Sequence, residues 1–144
     1  MRRLFTEPVV DFAGRFDRVD RAALVPKPTR SIPIWLGGSG PAAFDRAARL
    51  ADGFIFIGGG LDHTVSSWNQ LRERVRDAGR RVEDFGADYV VPLPAAVGDL
   101  TAEVDAWANA GGTHLSLATM GRGLSSVNAH IESIAAAARA LDLA

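Results

Sequence analysis

The feature that most constrains the fold of this chain is a segment in which an apolar strand runs into a glycine-rich turn twice in succession. Residues 32–60 read IPIWLGGSGPAAFDRAARLADGFIFIGGG, an order of strand, glycine turn, amphipathic helix, strand and second glycine turn. In an α/β fold this order brings both turns to the same end of neighbouring parallel strands. Backbone N–H groups at such turns, with a helix starting directly behind, form an anion site. The segment therefore predicts a parallel α/β protein that binds phosphate.

The rest of the chain repeats this strand–helix alternation. A short hairpin around Ala13 and Gly14 and a proline-containing connector come first, and four strand–helix units follow. We expect one domain over residues 1–144, with the hairpin and connector in 1–31 and four parallel βα units in 32–144. The predicted strands are 32–36, 54–57, 89–93 and 114–118, and the predicted helices begin at Pro41, at a cap on Asp62, near Asp99 and close to Val127.

Each predicted helix carries an apolar stripe at helical spacing, which we expect to face the sheet. The tryptophans of the second and third helices lie on these stripes and are expected in the core. The stripes are Ala43, Phe44, Ala47 and Leu50; Trp68, Leu71, Val75 and Ala78; Val104, Trp107 and Ala108; and Val127, Ile131, Ile134, Ala138 and Leu141.

Composition excludes several classes of function. The net charge is −1, with sixteen basic and seventeen acidic side chains, which does not favour nucleic acid or an acidic membrane surface. The chain has no cysteine, and its three histidines lack metal-ligand spacing, so we expect no metal site. Polar residues interrupt every apolar run near residue 1, which predicts neither a signal peptide nor a membrane span. We therefore expect a cytoplasmic protein without nucleic-acid or membrane partners.

The first glycine turn does not fit the common nucleotide-binding motifs. Its sequence, GGSGP at residues 37–41, lacks the G-x-G-x-x-G spacing of dinucleotide-binding folds and the lysine of a P-loop. A complete (β/α)8 barrel has eight units and typically ~250 residues. Four units in this chain therefore indicate either a small doubly wound sheet or part of a barrel.

Four pieces of sequence carry a family resemblance: EPVVDFAGRF (7–16), PKPTRSIPIWLGGSG (26–40), AARLADGF (47–54) and THLSLATMGRGL (113–124). In this order they resemble the C-terminal half of luciferase-like monooxygenases, barrel enzymes that use reduced flavin or the deazaflavin coenzyme F420. The last piece is more similar to the deazaflavin branch. The resemblance implies half of a (β/α)8 TIM-type barrel, oxidoreductase or monooxygenase chemistry, and coenzyme F420 or FMN as the cofactor.

The resemblance also implies which residues hold the cofactor phosphate. Glycine lets the backbone approach an anion closely, and a serine adds a hydroxyl donor. The family's candidates for catalytic acid and base would lie largely in the half of the pattern that this chain lacks, so the catalytic residues stay unknown. The implied phosphate-binding residues are Gly37, Gly38, Ser39 and Gly40 in the first turn and Gly58 and Gly59 in the second.

Half a barrel would leave the inner strand faces and both edge strands uncovered. A homodimer of half-barrels is the simplest solution, and another chain carrying the missing half would serve as well. The leading hypothesis is a truncated flavin- or deazaflavin-associated oxidoreductase domain. The alternatives are a non-catalytic cofactor-binding protein, a structural half-barrel that dimerises or completes another chain, and a degenerate fragment that folds only by self-association.

Four further residues have weaker claims to function. Trp35 directly precedes the first glycine turn and is either a cofactor contact or, as we favour, a packed core residue. His114 begins a predicted strand and is interpreted as a structural residue. His63 follows the predicted cap and is interpreted as a solvated residue. Arg122 lies in a loop that would be at the catalytic end of a barrel.

Overall fold

The computed structural model describes residues 1–93 and 97–143, with side chains at 1–93 and 100–143. The chain divides into two compact units, Met1–Pro33 and Ile34–Ala144. The first unit holds a short helix, α1 (Arg2–Thr6), and an antiparallel hairpin of β1 (Val10–Ala13) and β2 (Arg18–Ala22). The predicted hairpin is confirmed, whereas α1 was not predicted.

The second unit is a four-stranded parallel sheet with helices in its connections, which confirms the predicted α/β class. The strands lie side by side in chain order, and each adjacent pair is parallel. A 3-10 turn (Val82–Asp84) precedes the third of them. The elements are β3 (Trp35–Gly37), α2 (Pro41–Leu50), β4 (Gly53–Ile57), α3 (Gly60–Asp77), β5 (Gly86–Pro92), α4 (Val97–Asn109), β6 (His114–Ala118) and α5 (Val127–Ala140).

The first strand of this sheet begins later than predicted, at Trp35 instead of residue 32. Pro33 has no N–H to donate to a neighbouring strand. The N–H of Ile34 donates to Oδ2 of Asp52 at 2.7 Å instead of pairing in the sheet. The other three predicted strands are confirmed, although β5 begins earlier, at Gly86.

The main hydrophobic core lies between the sheet and its helices. Aromatic side chains dominate it: Trp68 stacks on Phe85 with ring centroids 6.3 Å apart. Nε1 of Trp107 donates to the backbone oxygen of His114 at 2.8 Å. Burial, together with the carboxylate of Glu103, raises the pKa of Tyr89 to about 12. The predicted burial of Trp68 and Trp107 is confirmed.

Three stripe residues at helix ends are exposed, contrary to prediction: Leu50, Ala78 and Ala108. In α2 the buried face is made of small residues and one aromatic ring: Ala43, Phe44, Ala47 and Ala48. These residues centre the buried face near Ala47 and Ala51, and Leu50 lies at the edge of that face. Helical spacing alone does not fix the centre of a stripe this precisely.

The apolar face of α5 is largely uncovered, and its predicted burial is wrong. Val127, Ile131 and Ile134 are 74%, 58% and 45% exposed, whereas Ala137 is buried. The helix contacts α4, and this contact covers only part of its apolar side. No helix within 1–93 or 97–143 has the length and hydropathy of a bilayer-spanning segment.

Trp35 lies on the face of the sheet opposite the helices. Its ring rests on the bare backbone of two neighbouring strands, because a Cβ added at Gly53 would come within 2.5 Å of the indole and one at Gly86 would come closer still. The ring also meets His114 edge to face, with centroids 4.8 Å apart. Trp35 is therefore packed, but across the strand starts instead of within the helix-side core.

We expect Gly86→Ala to destabilise the fold, because the new Cβ would collide with the Trp35 ring. Overpacking of this kind costs about 1–3 kcal/mol, which urea unfolding would measure. Gly37→Ala is the matched control, since its Cβ would meet the backbone oxygen of Ile55 at an ordinary 3.5 Å. Equal unfolding free energies for the two variants would show that the indole does not rest on Gly86.

Candidate functional site

Two glycine turns lie at the same end of the sheet, after β3 and after β4. These strands are parallel neighbours, with Gly37 paired to Ile55. Left-handed backbone angles occur in both turns, with φ of 80° at Gly40 and 82° at Gly58. Residues with a side chain rarely adopt these backbone angles, which explains why glycine occupies both positions. The turns deliver the chain directly into the N-termini of α2 and α3.

Both helix N-termini are open to an external acceptor. The N-caps are Gly40 for α2 and Gly59 for α3, and among the described residues no side chain caps either helix. The predicted cap at Asp62 is wrong, because Gly59 takes that position and places Asp62 in the first turn. The side chain of Asp99, predicted near the start of α4, lies outside the described residues. Uncapped helix starts leave N–H groups that favour an anion.

A cavity of about 200 Å³ separates the two turns. It is lined by the turns themselves, by the ends of the aromatic core and by the first turns of α3. The lining residues are Gly38, Ser39, Gly40, Pro41, Phe44, Phe56, Ile57, Gly58, His63, Thr64, Ser67 and Gln70. Of the described residues in this lining none is a lysine, arginine, aspartate or glutamate, so its donors are backbone N–H groups, hydroxyls, an amide and one imidazole.

The structure brings four of the six phosphate-binding candidates to this cavity. Gly38, Ser39, Gly40 and Gly58 line it. The other two adjoin it: Gly37 is the last residue of β3, and Gly59 is the N-cap of α3. The six candidates therefore occupy one region, at the carboxyl ends of two adjacent strands.

Sequence reasoning missed the residues that α3 contributes. His63, Ser67 and Gln70 line the cavity. His63 is also exposed, as its interpretation as a solvated residue predicted. Their spacing of four and then three positions puts them on one helical face. A polar stripe directly after a glycine turn was the signal that could have identified them.

A buried hydroxyl in this wall already has a partner. Oγ1 of Thr64 donates to the backbone oxygen of Gly60 at 2.9 Å. Ser67 is also a buried residue, but its hydroxyl oxygen is not among the described buried atoms that lack a partner, so it is open to the cavity. Ser67 is therefore the α3 hydroxyl, and Ser39 the turn hydroxyl, that face the cavity without a hydrogen bond to the described chain.

The weaker candidates lie elsewhere. Nε of Arg122 donates to the backbone oxygen of Leu93 at 2.8 Å, which ties its loop to the end of β5. Nδ1 of His114 lies 2.9 Å from Oγ1 of Thr113. Oγ of Ser116, two residues further along β6, donates to Oδ2 of Asp88 at 2.8 Å. Across residues 1–93 and 97–143, no three histidine or acidic side chains cluster as metal ligands would.

A family model described as luciferase-like monooxygenase matches residues 1–142. The chain belongs to this family. An F420-dependent glucose-6-phosphate dehydrogenase from Nakamurella multipartita is 38% identical over 87 residues, covering 59% of this chain and 26% of that protein. The enzyme of the same name from Mycobacterium tuberculosis is 30% identical over 95 residues, covering 65% and 28%. The matched regions thus span about a quarter of these relatives.

Solved structures with the same fold include two F420-dependent enzymes. An F420-dependent secondary alcohol dehydrogenase gives a TM-score of 0.56 at 16% identity, over 96% of this chain and 50% of that one. A coenzyme F420-dependent tetrahydromethanopterin reductase from Methanopyrus kandleri gives 0.55 at 15% identity, over 71% and 31%. At these identities the likeness shows the fold alone.

The hydrogen bond from Ile34 to Asp52 supports the strand that leads into the first glycine turn. We expect Asp52→Ala to lower the free energy of unfolding by about 1.5–3 kcal/mol, the range for hydrogen bonds to charged groups. Asp52→Asn keeps a side-chain oxygen as acceptor and should retain much of this stability. Denaturant unfolding would compare them, and an equal loss in both variants would contradict the role given to this acceptor.

Proposed function

We propose that this chain is a deazaflavin- or flavin-dependent oxidoreductase domain that holds the cofactor phosphate between its two glycine turns. The observation that carries the proposal is the cavity lined by Gly38, Ser39, Gly40 and Gly58 in front of two uncapped helices. Backbone N–H groups and helix dipoles are the elements that bind phosphate in many parallel α/β proteins. The phosphate-binding set is the six turn residues at 37–40 and 58–59.

The residues at the turns fit a phosphate group. Gly40 and Gly58 face open space, since a Cβ at either would meet nothing within 4 Å. An oxyanion can therefore come close to the backbone there. Ser39 adds a hydroxyl, and the lack of acidic side chains among the described lining residues avoids repulsion.

The family and its relatives support F420 first and FMN second as the cofactor. The two relatives described above are named as F420-dependent enzymes. When bound, the cofactor would supply hydride-transfer chemistry, and this chain's residues would bind and orient it. No acid or base is assigned, so a cofactor-binding domain without turnover is the second candidate.

Substitution at Gly40 tests the phosphate site. We expect the protein to bind FMN or F420 in a calorimetric titration and to bind riboflavin, which lacks the phosphate, at least tenfold more weakly. Gly40→Asp should weaken cofactor binding by at least tenfold, about 1.4 kcal/mol, because its carboxylate would repel the phosphate.

Gly79→Asp is the matched control. Its backbone φ of 71° resembles the 80° at Gly40, both positions face open space, and Gly79 lies beyond the far end of α3. Equal weakening in both variants would place the phosphate elsewhere. A folded protein that binds neither cofactor would refute the proposed function, and binding without hydride transfer would identify the non-catalytic candidate.

We further propose that the βα units form half of a (β/α)8 barrel, which a second copy of the chain completes. Within the described chain, β3 and β6 each have one neighbouring strand. A two-fold axis would place β6 of one copy beside β3 of the other and close eight strands. The exposed apolar face of α5 supports such a contact, since uncovered patches of this kind mark interfaces.

The dimer predicts a mass of twice 15.3 kDa in sedimentation equilibrium. Ile131→Glu should dissociate it, because the charge would be buried in the contact. Asn128→Glu adds the same charge at an exposed position of the same helix and should leave the mass unchanged. A monomeric parent protein would contradict the homodimer and favour a separate chain carrying the other half.

A further inference from the structure

The wall of the cavity formed by α3 has a polar stripe that the glycine turns do not explain. We propose that the Ser67 hydroxyl and the His63 imidazole donate hydrogen bonds to the phosphate oxygens held between the turns. The inference rests on the proposed function for its ligand class, a phosphate ester. It adds two side chains to a site otherwise made mainly of backbone.

Ser67 provides the first argument. It is only 7% exposed and lines the cavity, and its hydroxyl has no hydrogen-bond partner among residues 1–93 and 97–143. A serine within a helix ordinarily donates to the backbone oxygen four residues earlier, as Thr64 does to Gly60 at 2.9 Å. The hydroxyl oxygen is not among the described buried side-chain atoms that lack a partner, which are Nε1 of Trp68 and Oδ1 of Asp88, so it is open to the cavity. A ligand oxygen there would take the place of water as its acceptor.

His63 provides the second argument. Its ring lies against the second glycine turn, where a Cβ at Gly59 would come within 2.5 Å of its Cδ2. The imidazole also lines the cavity, where a ring N–H can donate a hydrogen bond. The ring and the Ser67 hydroxyl occupy positions one helical turn apart, so both can reach the same ligand.

The acidic residue Asp62, next to His63 in the chain, bears on which side of α3 can favour an anion. Asp62 lies in the first turn of α3 but does not line the cavity. Its carboxylate opposes an anion at the helix start, so the favourable side-chain contribution must come from the cavity side. On the cavity side α3 presents His63, Ser67 and Gln70 as donors, since the Thr64 hydroxyl already donates to Gly60. His63 and Ser67 are the two that lie nearer to the start of the helix and to the glycine turn.

The experiment is a titration of the protein with inorganic phosphate at constant pH and ionic strength, followed by the imidazole proton resonances. The chain has three histidines, and His63→Gln would assign the resonance of interest. We expect the His63 signal to shift saturably with phosphate while His114 and His130, outside the cavity lining, stay unchanged. Ser67→Ala should weaken the apparent affinity by about tenfold, as expected for a hydrogen bond to a charged group.

Ser66→Ala is the matched control, because Ser66 is the exposed neighbour of Ser67 on the same helix. An unshifted His63 signal, equal shifts of the three histidines, or equal affinities of the two serine variants would overturn the inference. Parallel titrations with F420 and FMN distinguish a failure of this inference from a failure of the proposed function. Cofactor binding that His63→Gln and Ser67→Ala leave unchanged would refute the inference alone. A saturable His63 response to phosphate without cofactor binding would refute the function alone.

Discussion

The parallel pairing of β3 with β4 is the constraint on which the rest of the site depends. Because the strands run in the same direction, the glycine turns that follow them lie at one end of the sheet. The helices behind the turns then point their N-termini toward one cavity. The N–H of Ile34, held by Asp52, fixes where the shared ladder begins. Displacement of β3 along β4 would separate the two halves of the site.

The proposed phosphate site would attract an anion with little formal charge. Its described lining holds no permanent cation, so the attraction would come from oriented backbone dipoles and from hydroxyl and imidazole donors. Such groups are held by the fold and need little rearrangement when a ligand binds. The same lack of charge gives weak long-range attraction, which favours recognition by fit over electrostatic steering.

The features that depend on residues close together in the sequence were predicted best. The strands and glycine turns depend on neighbouring residues, so the α/β class and the meeting of the turns were predictable. Tertiary contacts decided the rest. In α2 the buried face is rotated toward Ala48, which leaves Leu50 exposed at its edge. In α5, Ile131 is exposed because the described chain leaves that side of the helix uncovered. Helical spacing identifies an apolar stripe but not what covers it, and it did not show that His63 faces a cavity.

Trp35 and the two glycines beneath it have a consequence for how such a sequence can diverge. The indole fills the space that side chains at Gly53 and Gly86 would need. Either glycine could acquire a side chain only at a steric cost while Trp35 remains, and loss of the indole alone would expose bare backbone on two strands. The three positions are therefore expected to change together during evolution, so that any homologue with a side chain at either glycine should carry a smaller residue in place of the tryptophan.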